Sequence, residues 1–270
     1  MERRLGLMCG AGPLPAQMAQ AARRRGWRVV AFAFPGAEEM ACHADRVVPS
    51  RITEAAAVLA TLQAEGATAA LFGGRFSMSE VLRADAASAD QASQRIGEHA
   101  GSRMDAKLLE AIVAMFASIG VEVLDQRPFL GDLAAPGCLT ARRPSDAEVA
   151  DVRRGLAVAH LSADAGIGQT VVVRHGVVTA VEAVEGTTAA IRRGTLLAGP
   201  GAVVVKAVAR DHDYRFDTPA VGAETVAAAA EGRAAVIAVE SGRVLVVDPG
   251  AAARAADALG IALVSVDATG

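Results

Sequence analysis

Apolar and polar positions alternate along the first half of the chain in a strand-then-helix rhythm. Residues 5–9 form a short apolar run that stops at Gly10-Ala11-Gly12. Pro13 then opens a helical pattern through Ala16, Met18, Ala19 and Ala22 that ends at Gly26, with proline at the start and glycine past the end. Residues 28–33 read as a second strand and 46–48 as a short third. Residues 53–66 read as a helix carrying Leu59 and Leu62, and 68–72 as a strand followed by Gly73-Gly74. Over 103–119 the apolar positions Met104, Leu108, Ile112 and Phe116, with Leu109 and Val113 beside them, give the repeat of one buried helix face. Residues 121–124 close the set as a strand. Strands and helices alternating at this spacing predict a parallel sheet with helices on both faces.

Around 130–143, Gly131, Pro136, Gly137 and Pro144 interrupt both periods. The predicted organisation is therefore a first domain over 1–135, a linker over 136–144 and a second domain over 145–270. Ser145 with Glu148 three residues on, ahead of Val149, Val152, Leu156 and Val158, is a capping box opening a helix that fades near Ala163. Residues 169–174 and 177–183 flank His175-Gly176, a hairpin turn. Further strands are predicted at 201–206, 234–239, 243–247 and 261–266, and helices at 187–197, 222–232 and 249–260. The fold class is α/β, with a parallel-sheet first domain and a mixed second one.

Composition narrows the function. Hydrophobic residues make up 52% and aromatics only 3%, so the core is built from Ala, Val, Leu and Ile. Stacking platforms for single-stranded nucleic acid are lacking. A net charge of −3 with a pI near 6.0 argues against an electrostatic footprint for nucleic acid altogether. Cys9, Cys42 and Cys138 are odd in number and widely spaced, which supports neither a zinc ribbon nor a disulfide framework, and reads as reduced cysteines in a cytoplasmic protein. Residues 1–7 are too poor in apolar side chains for a signal peptide, and no run approaches the roughly 18 residues of a membrane span. Peripheral contact with a membrane surface stays compatible with this.

Four segments could carry chemistry. Gly10-Ala11-Gly12 lies between the first strand and first helix, where backbone amides can approach a phosphate; the same glycines could serve only a tight turn. The third glycine of a dinucleotide fingerprint is replaced by Pro15, which disfavours a nicotinamide oxidoreductase. Gly73-Gly74-Arg75 lies at the carboxyl edge of a later strand, so Arg75 is either an anion contact or an ordinary surface cation. Glu182, Glu185, Gly186 and Thr187 close an apolar strand at the start of a helix; they suit a metal or a ligand hydroxyl, or alternatively simple capping by Thr187. Finally, Lys206 to Pro219 holds Lys206, Arg210, Asp211, His212, Asp213, Arg215 and Asp217. Carboxylates near cations suit an oxygen-liganded divalent ion and a phosphorylated substrate, or a solvated charged loop.

Together these stretches resemble the LpxI family, the UDP-2,3-diacylglucosamine pyrophosphatases of lipid A biosynthesis. The resemblance runs nearly end to end. It rests on Gly10-Ala11-Gly12-Pro13-Leu14-Pro15, Met104-Asp105-Ala106-Lys107-Leu108-Leu109, Gly166-Ile167-Gly168-Gln169, Val181-Glu182-Ala183-Val184-Glu185-Gly186-Thr187 and Arg215-Phe216-Asp217-Thr218-Pro219. It implies a Rossmann-like N-terminal domain and a distinct C-terminal domain. The implied reaction is metal-dependent hydrolysis of UDP-2,3-diacylglucosamine to UMP and 2,3-diacylglucosamine 1-phosphate (lipid X), with water attacking the α-phosphorus. The family's catalytic aspartate falls on Asp217. Asp213 and Lys206 join it as catalytic candidates, and Asp217, Asp213 and Glu182 are the candidate ligands of Mg²⁺ or Mn²⁺. Gly10, Ala11, Gly12, Gly74, Arg75, Gln169, Glu185, Gly186, Thr187 and Arg215 are the candidate substrate contacts. The implied partners are the UDP-diacylglucosamine lipid and the inner membrane surface, with no nucleic acid, and a homodimer is compatible with the sequence. The chain departs from the family pattern at Thr170, Thr188, Ala209, Arg210 and His212. A non-catalytic nucleotide-sugar or phospholipid-precursor binder of the same fold is the alternative reading.

Overall fold

The computed structural model describes residues 3–76, 89–94 and 106–268. The chain divides into two compact units: Met1–Gly131 with Asp213–Asp217, and Asp132–His212 with Thr218–Gly270.

The first unit is a five-stranded parallel sheet in the order β3-β2-β1-β4-β5, from β1 (Arg3–Cys9), β2 (Trp27–Ala33), β3 (Arg46–Pro49), β4 (Ala69–Gly73) and β5 (Glu122–Val123). This is the doubly wound order, whose direction reverses between β1 and β4. Helix α1 (Leu14–Arg24) buries Pro15, Met18, Ala19 and Ala22 against one face. Helices α2 (Ala55–Ala64) and α3 (Ala106–Ser118) cover the other through Val58, Leu62 and Phe116. Fully burying a side chain such as Met18 or Leu62 contributes about 1.5–3 kcal/mol. The predicted helix over 103–119 begins before the described residues, as does part of the stretch from Met104 to Leu109. Cys9 is buried in β1, and burial pushes its thiol pKa up to about 12, so it acts as a small apolar side chain.

The second unit has a six-stranded mixed sheet in the order β6-β13-β11-β9-β7-β8: β6 (Gly137–Cys138), β7 (Thr170–Arg174), β8 (Val177–Val181), β9 (Val203–Lys206), β11 (Val236–Glu240) and β13 (Ala262–Val266). Strands β9, β11 and β13 are parallel, while β6 and the β7–β8 hairpin are antiparallel additions. Strands β10 (Ala220–Val221) and β12 (Leu245–Val246) form a separate parallel pair. Helix α4 (Asp146–Asp164) packs Val152, Leu156 and Ala159 on one sheet face. Helices α5 (Thr187–Ala198), α6 (Ala223–Glu231) and α7 (Pro249–Ala258) contribute Ile191, Val226, Ala252 and Ala256 to a core on the other. The capping box is formed: Glu148 N–H donates to Ser145 Oγ (3.4 Å) and Ser145 N–H to Glu148 Oε2 (2.8 Å). At the hairpin turn His175 and Gly176 have φ of 50° and 77°, and their amides donate to buried Asp151 at 2.8 and 2.6 Å.

Two details differ from the sequence expectation. The stretch read as linker supplies β6, an edge strand bonded to β13. The segment Asp213–Asp217, placed by the sequence in the second domain, clusters with the first unit. Tyr214 O there accepts from Gln126 N–H (3.0 Å), and Phe216 packs on the Phe72 ring.

Candidate functional site

In the first unit the two glycine loops meet where the strand order reverses. Ala11 N–H donates to Arg75 O (2.9 Å), Arg75 N–H to Ala11 O (2.8 Å) and Gly10 N–H to Gly73 O (2.8 Å). The approach requires glycine. Gly74 has φ of +81°, and a Cβ there would lie 2.7 Å from Ala11 O; a Cβ on Gly10 would lie 2.5 Å from Arg75 O. Two of the amides expected to face a phosphate, those of Gly10 and Ala11, thus hold the loops together. Pro13 and Pro15 have no amide hydrogen, so the start of α1 offers those of Leu14 and Ala16. What the edge does present is the exposed Gly12 and the exposed side chain of Arg75, on a backbone fixed from both sides.

The segment Asp213–Asp217 is the second constellation of this unit. Arg215 Nε lies 3.0 and 3.1 Å from the two Asp213 carboxylate oxygens, and Nη2 donates to Oδ2 at 2.7 Å. This side-chain hydrogen bonding raises the Arg215 pKa, so the guanidinium is a permanent, oriented cation. Asp125 is paired with Arg127 in the same manner, its carboxyl held below the usual range first by that hydrogen bond. The Arg127 guanidinium lies 4.3 Å from the Tyr214 ring centre. Asp217 follows Phe216 and is exposed.

In the second unit the site residues gather at the carboxyl end of β9. Thr170 and Lys206 are register partners on β7 and β9, and with Val172, Val204 and Ala180 they face α5. Lys206 is buried to 6% exposure, and its Nζ donates to Thr187 Oγ1 at 2.9 Å. The Thr187 hydroxyl donates in turn to Glu182 Oε1 at 2.7 Å. Glu182 Oε2 and Thr170 Oγ1 are buried without a hydrogen-bond partner. Gly186, with φ of 82°, is the N-cap of α5, and Thr187 is its first residue, so the threonine joins a cation to a carboxylate instead of capping. Gln169 holds the β9 exit through its carbonyl, which accepts from Ala207 N–H (3.0 Å). Glu185 is turned to Arg193 (2.6 Å), and that hydrogen bond leads the causes that keep its carboxyl below the usual range.

These are oxygen donors, which suit Mg²⁺ or Mn²⁺. Among the described residues neither unit gathers three His, Cys, Asp or Glu side chains as a cage. Both Asp213 oxygens are taken up by Arg215. The donor set fits an ion carried largely by substrate phosphates and water, which needs only one or two protein carboxylates; it does not fit a resident ion held by three.

Sequence reasoning did not single out Gln126, and it gave no site role to Phe72, the strand end before Gly73-Gly74, or to Thr170, noted only as a departure from the family pattern. Each reads as an ordinary strand or loop residue, and only the long-range contacts give them a place. Family profiles describing the LpxI N-terminal domain and the LpxI C-terminal domain match residues 4–133 and 135–264. The chain is also similar to the UDP-2,3-diacylglucosamine pyrophosphatase LpxI of Caulobacter vibrioides (strain ATCC 19089 / CIP 103742 / CB 15), with 33% identity over 289 residues covering 98% of each chain.

Proposed function

Because the chain belongs to the LpxI family, we propose that it hydrolyses UDP-2,3-diacylglucosamine to UMP and 2,3-diacylglucosamine 1-phosphate, with water attacking the α-phosphorus. The observation that carries this reading is the end-to-end likeness to a pyrophosphatase named for that substrate. The chemistry of the chain's own residues supports it. A diphosphate linkage resists attack because its oxygens repel a nucleophile, and catalysis consists mainly of positioning and charge neutralisation. Lys206 provides a buried ammonium whose direction is set by Thr187, and a desolvated, preoriented charge acts more strongly on a phosphate than a solvated one. Arg215, held by Asp213, and Arg75, on its fixed backbone, are cations suited to phosphate oxygens.

Asp217 is the residue proposed to align the attacking water and to meet Mg²⁺ or Mn²⁺; within the second unit, the buried Glu182 Oε2 is an oxygen suited to a divalent ion. The ion supplies charge neutralisation of the diphosphate and a lowered pKa for bound water. Asp213 serves in this scheme by orienting Arg215. The two acyl chains make the enzyme a peripheral protein at the inner membrane surface in this reading; no helix among the described residues is long and apolar enough to cross a membrane.

The test is a phosphorus NMR assay with UDP-2,3-diacylglucosamine, Mg²⁺ or Mn²⁺ and ¹⁸O-labelled water. Label in UMP is expected. Label in the lipid phosphate overturns attack at the α-phosphorus. Binding without turnover in either metal overturns the hydrolase reading and leaves a binding protein.

A further inference from the structure

Aromatic residues are scarce in this chain, yet five of its seven phenylalanines touch one another in the first unit. The Phe72 ring is the hub. Its centroid lies 6.4 Å from Phe76, 5.8 Å from Phe116 and 5.0 Å from Phe216, with interplanar angles of 50–62°. Phe34, Phe72, Phe76 and Phe116 belong to the body of the unit. Phe216 belongs to the short segment that leaves the second unit after His212 and rejoins it at Thr218.

Phe216 is flanked by Arg215 and Asp217. Its ring is the apolar anchor of the segment, packed against the core that includes Phe32, Val58, Leu62 and Phe116. The polar anchors lie upstream: Tyr214 O on Gln126 N–H, and Arg127 over the Tyr214 ring. On the upstream side of Asp217 the nearest anchor along the chain is therefore a ring contact made by a residue at the end of β4, the strand that also leads into Gly73-Gly74-Arg75.

We propose that Phe72 is a positioning residue for Asp217, acting through the ring of Phe216. The inference deepens the proposed hydrolase reading and, for its kinetic consequence, rests on it. A tilted ring pair restricts both distance and angle, which a flexible aliphatic contact does not. Displacing a group that aligns a nucleophile by about 1 Å can cost roughly a hundredfold in rate. Substituting the ring should therefore affect turnover far from any contact with substrate, and should loosen the segment itself.

The experiment compares Phe72→Leu with Phe116→Leu, whose ring also touches Phe72 and is buried in the same cluster. Two readouts are taken on each: kcat and KM for UDP-2,3-diacylglucosamine, and the rate of native-state trypsin cleavage after Arg215. Phe72→Leu is expected to lower kcat at least about tenfold with KM within about twofold, and to speed cleavage at Arg215 at least about fivefold. Phe116→Leu should leave both within about twofold, and Phe72→Tyr should restore both. Equal effects from Phe116→Leu, or an unchanged cleavage rate in Phe72→Leu, overturn the proposal. If Phe72→Leu does not fold, Phe216→Leu carries the same two readouts. Absence of turnover in the wild type would overturn the hydrolase reading alone, because the cleavage rate still reports whether Phe72 holds the segment.

Discussion

Lys206 Nζ donates to Thr187 Oγ1 at 2.9 Å, tying the last residue of β9 to the first residue of α5. The same hydroxyl donates to Glu182, so one threonine fixes both a buried ammonium and a carboxylate. Thr187→Val keeps the shape and removes the hydroxyl, leaving Lys206 without this partner. A fall in kcat of about 10–100-fold is expected, less than the roughly 100–1,000-fold of losing a preoriented donor outright, because Lys206 itself is kept. Thr187→Ser, which keeps the oxygen, should stay within about threefold of the wild type on the same reasoning. Steady-state kinetics on the three proteins check this, and a Thr187→Val enzyme with unchanged kcat would remove Lys206 and Thr187 from the mechanism.

The hairpin between β7 and β8 depends on Asp151, which is 6% exposed and accepts the amides of His175 and Gly176. Asp151→Ala leaves both amides without their charged acceptor. Hydrogen bonds to charged groups contribute roughly 1.5–3 kcal/mol each, with incomplete additivity, so a loss of about 2–4 kcal/mol is expected in urea unfolding. The turnover of the folded fraction should be unchanged, which separates this buried carboxylate from the catalytic candidates.

The sequence made the strand and helix order of the first unit readable because each element carries its own period: Met18, Ala19 and Ala22 on one helix face, and residues 5–9 and 28–33 as buried strands. The Ser145–Glu148 box and the His175-Gly176 turn were readable for the same local reason. What escaped depends on partners distant in the chain. Gly137–Cys138 looks like a linker because two residues have no period; only β13 makes them a strand. The glycines at 10 and 74 signal a close approach, but the sequence does not say whether a phosphate or Arg75 O makes it. Thr187 carries a capping residue's identity, yet the positive φ of Gly186 shifts the cap by one residue and frees the hydroxyl for Lys206. Phe216 reads as part of a charged loop until Phe72 is placed beside it.

Glu148 supplies a pH prediction for the second unit. Burial raises its pKa, but the Ser145 amide and the Arg142 guanidinium lower it further, and the net result is below the ordinary 4.5. A carboxyl depressed in the folded state stabilises the fold in its ionised form. That stabilisation is complete above the unfolded value and is lost as pH falls through the folded one. Glu148→Gln should therefore lower stability at pH 7 and reduce the steepness of the acid limb below about pH 4.5. Urea midpoints from pH 7 to pH 3 test it; parallel curves for the two proteins would show that Glu148 contributes nothing to acid unfolding.

Asp217→Ala separates catalysis from architecture most directly. The residue is exposed, whereas Tyr214 and Phe216 attach the segment to its unit. Exposed substitutions away from such anchors usually change stability by less than about 0.5 kcal/mol, so the melting temperature should hardly move. If Asp217 aligns water or meets the metal ion, its carboxylate acts mainly in the transition state. Its loss then lowers kcat more than it raises KM. Removing a metal-organised step costs several kcal/mol, and each ~1.4 kcal/mol is tenfold, giving a fall of at least about a thousandfold. A turn residue supporting the bend before Pro219 would behave in the opposite way, with a lower melting temperature and nearly full specific activity of the folded fraction. Asp217→Asn refines the distinction, because the amide keeps a hydrogen-bonding oxygen but not the charge. A deep loss of kcat in both variants, at wild-type melting temperature, is the expected result. Measuring turnover and thermal unfolding on the same preparations decides between the two roles.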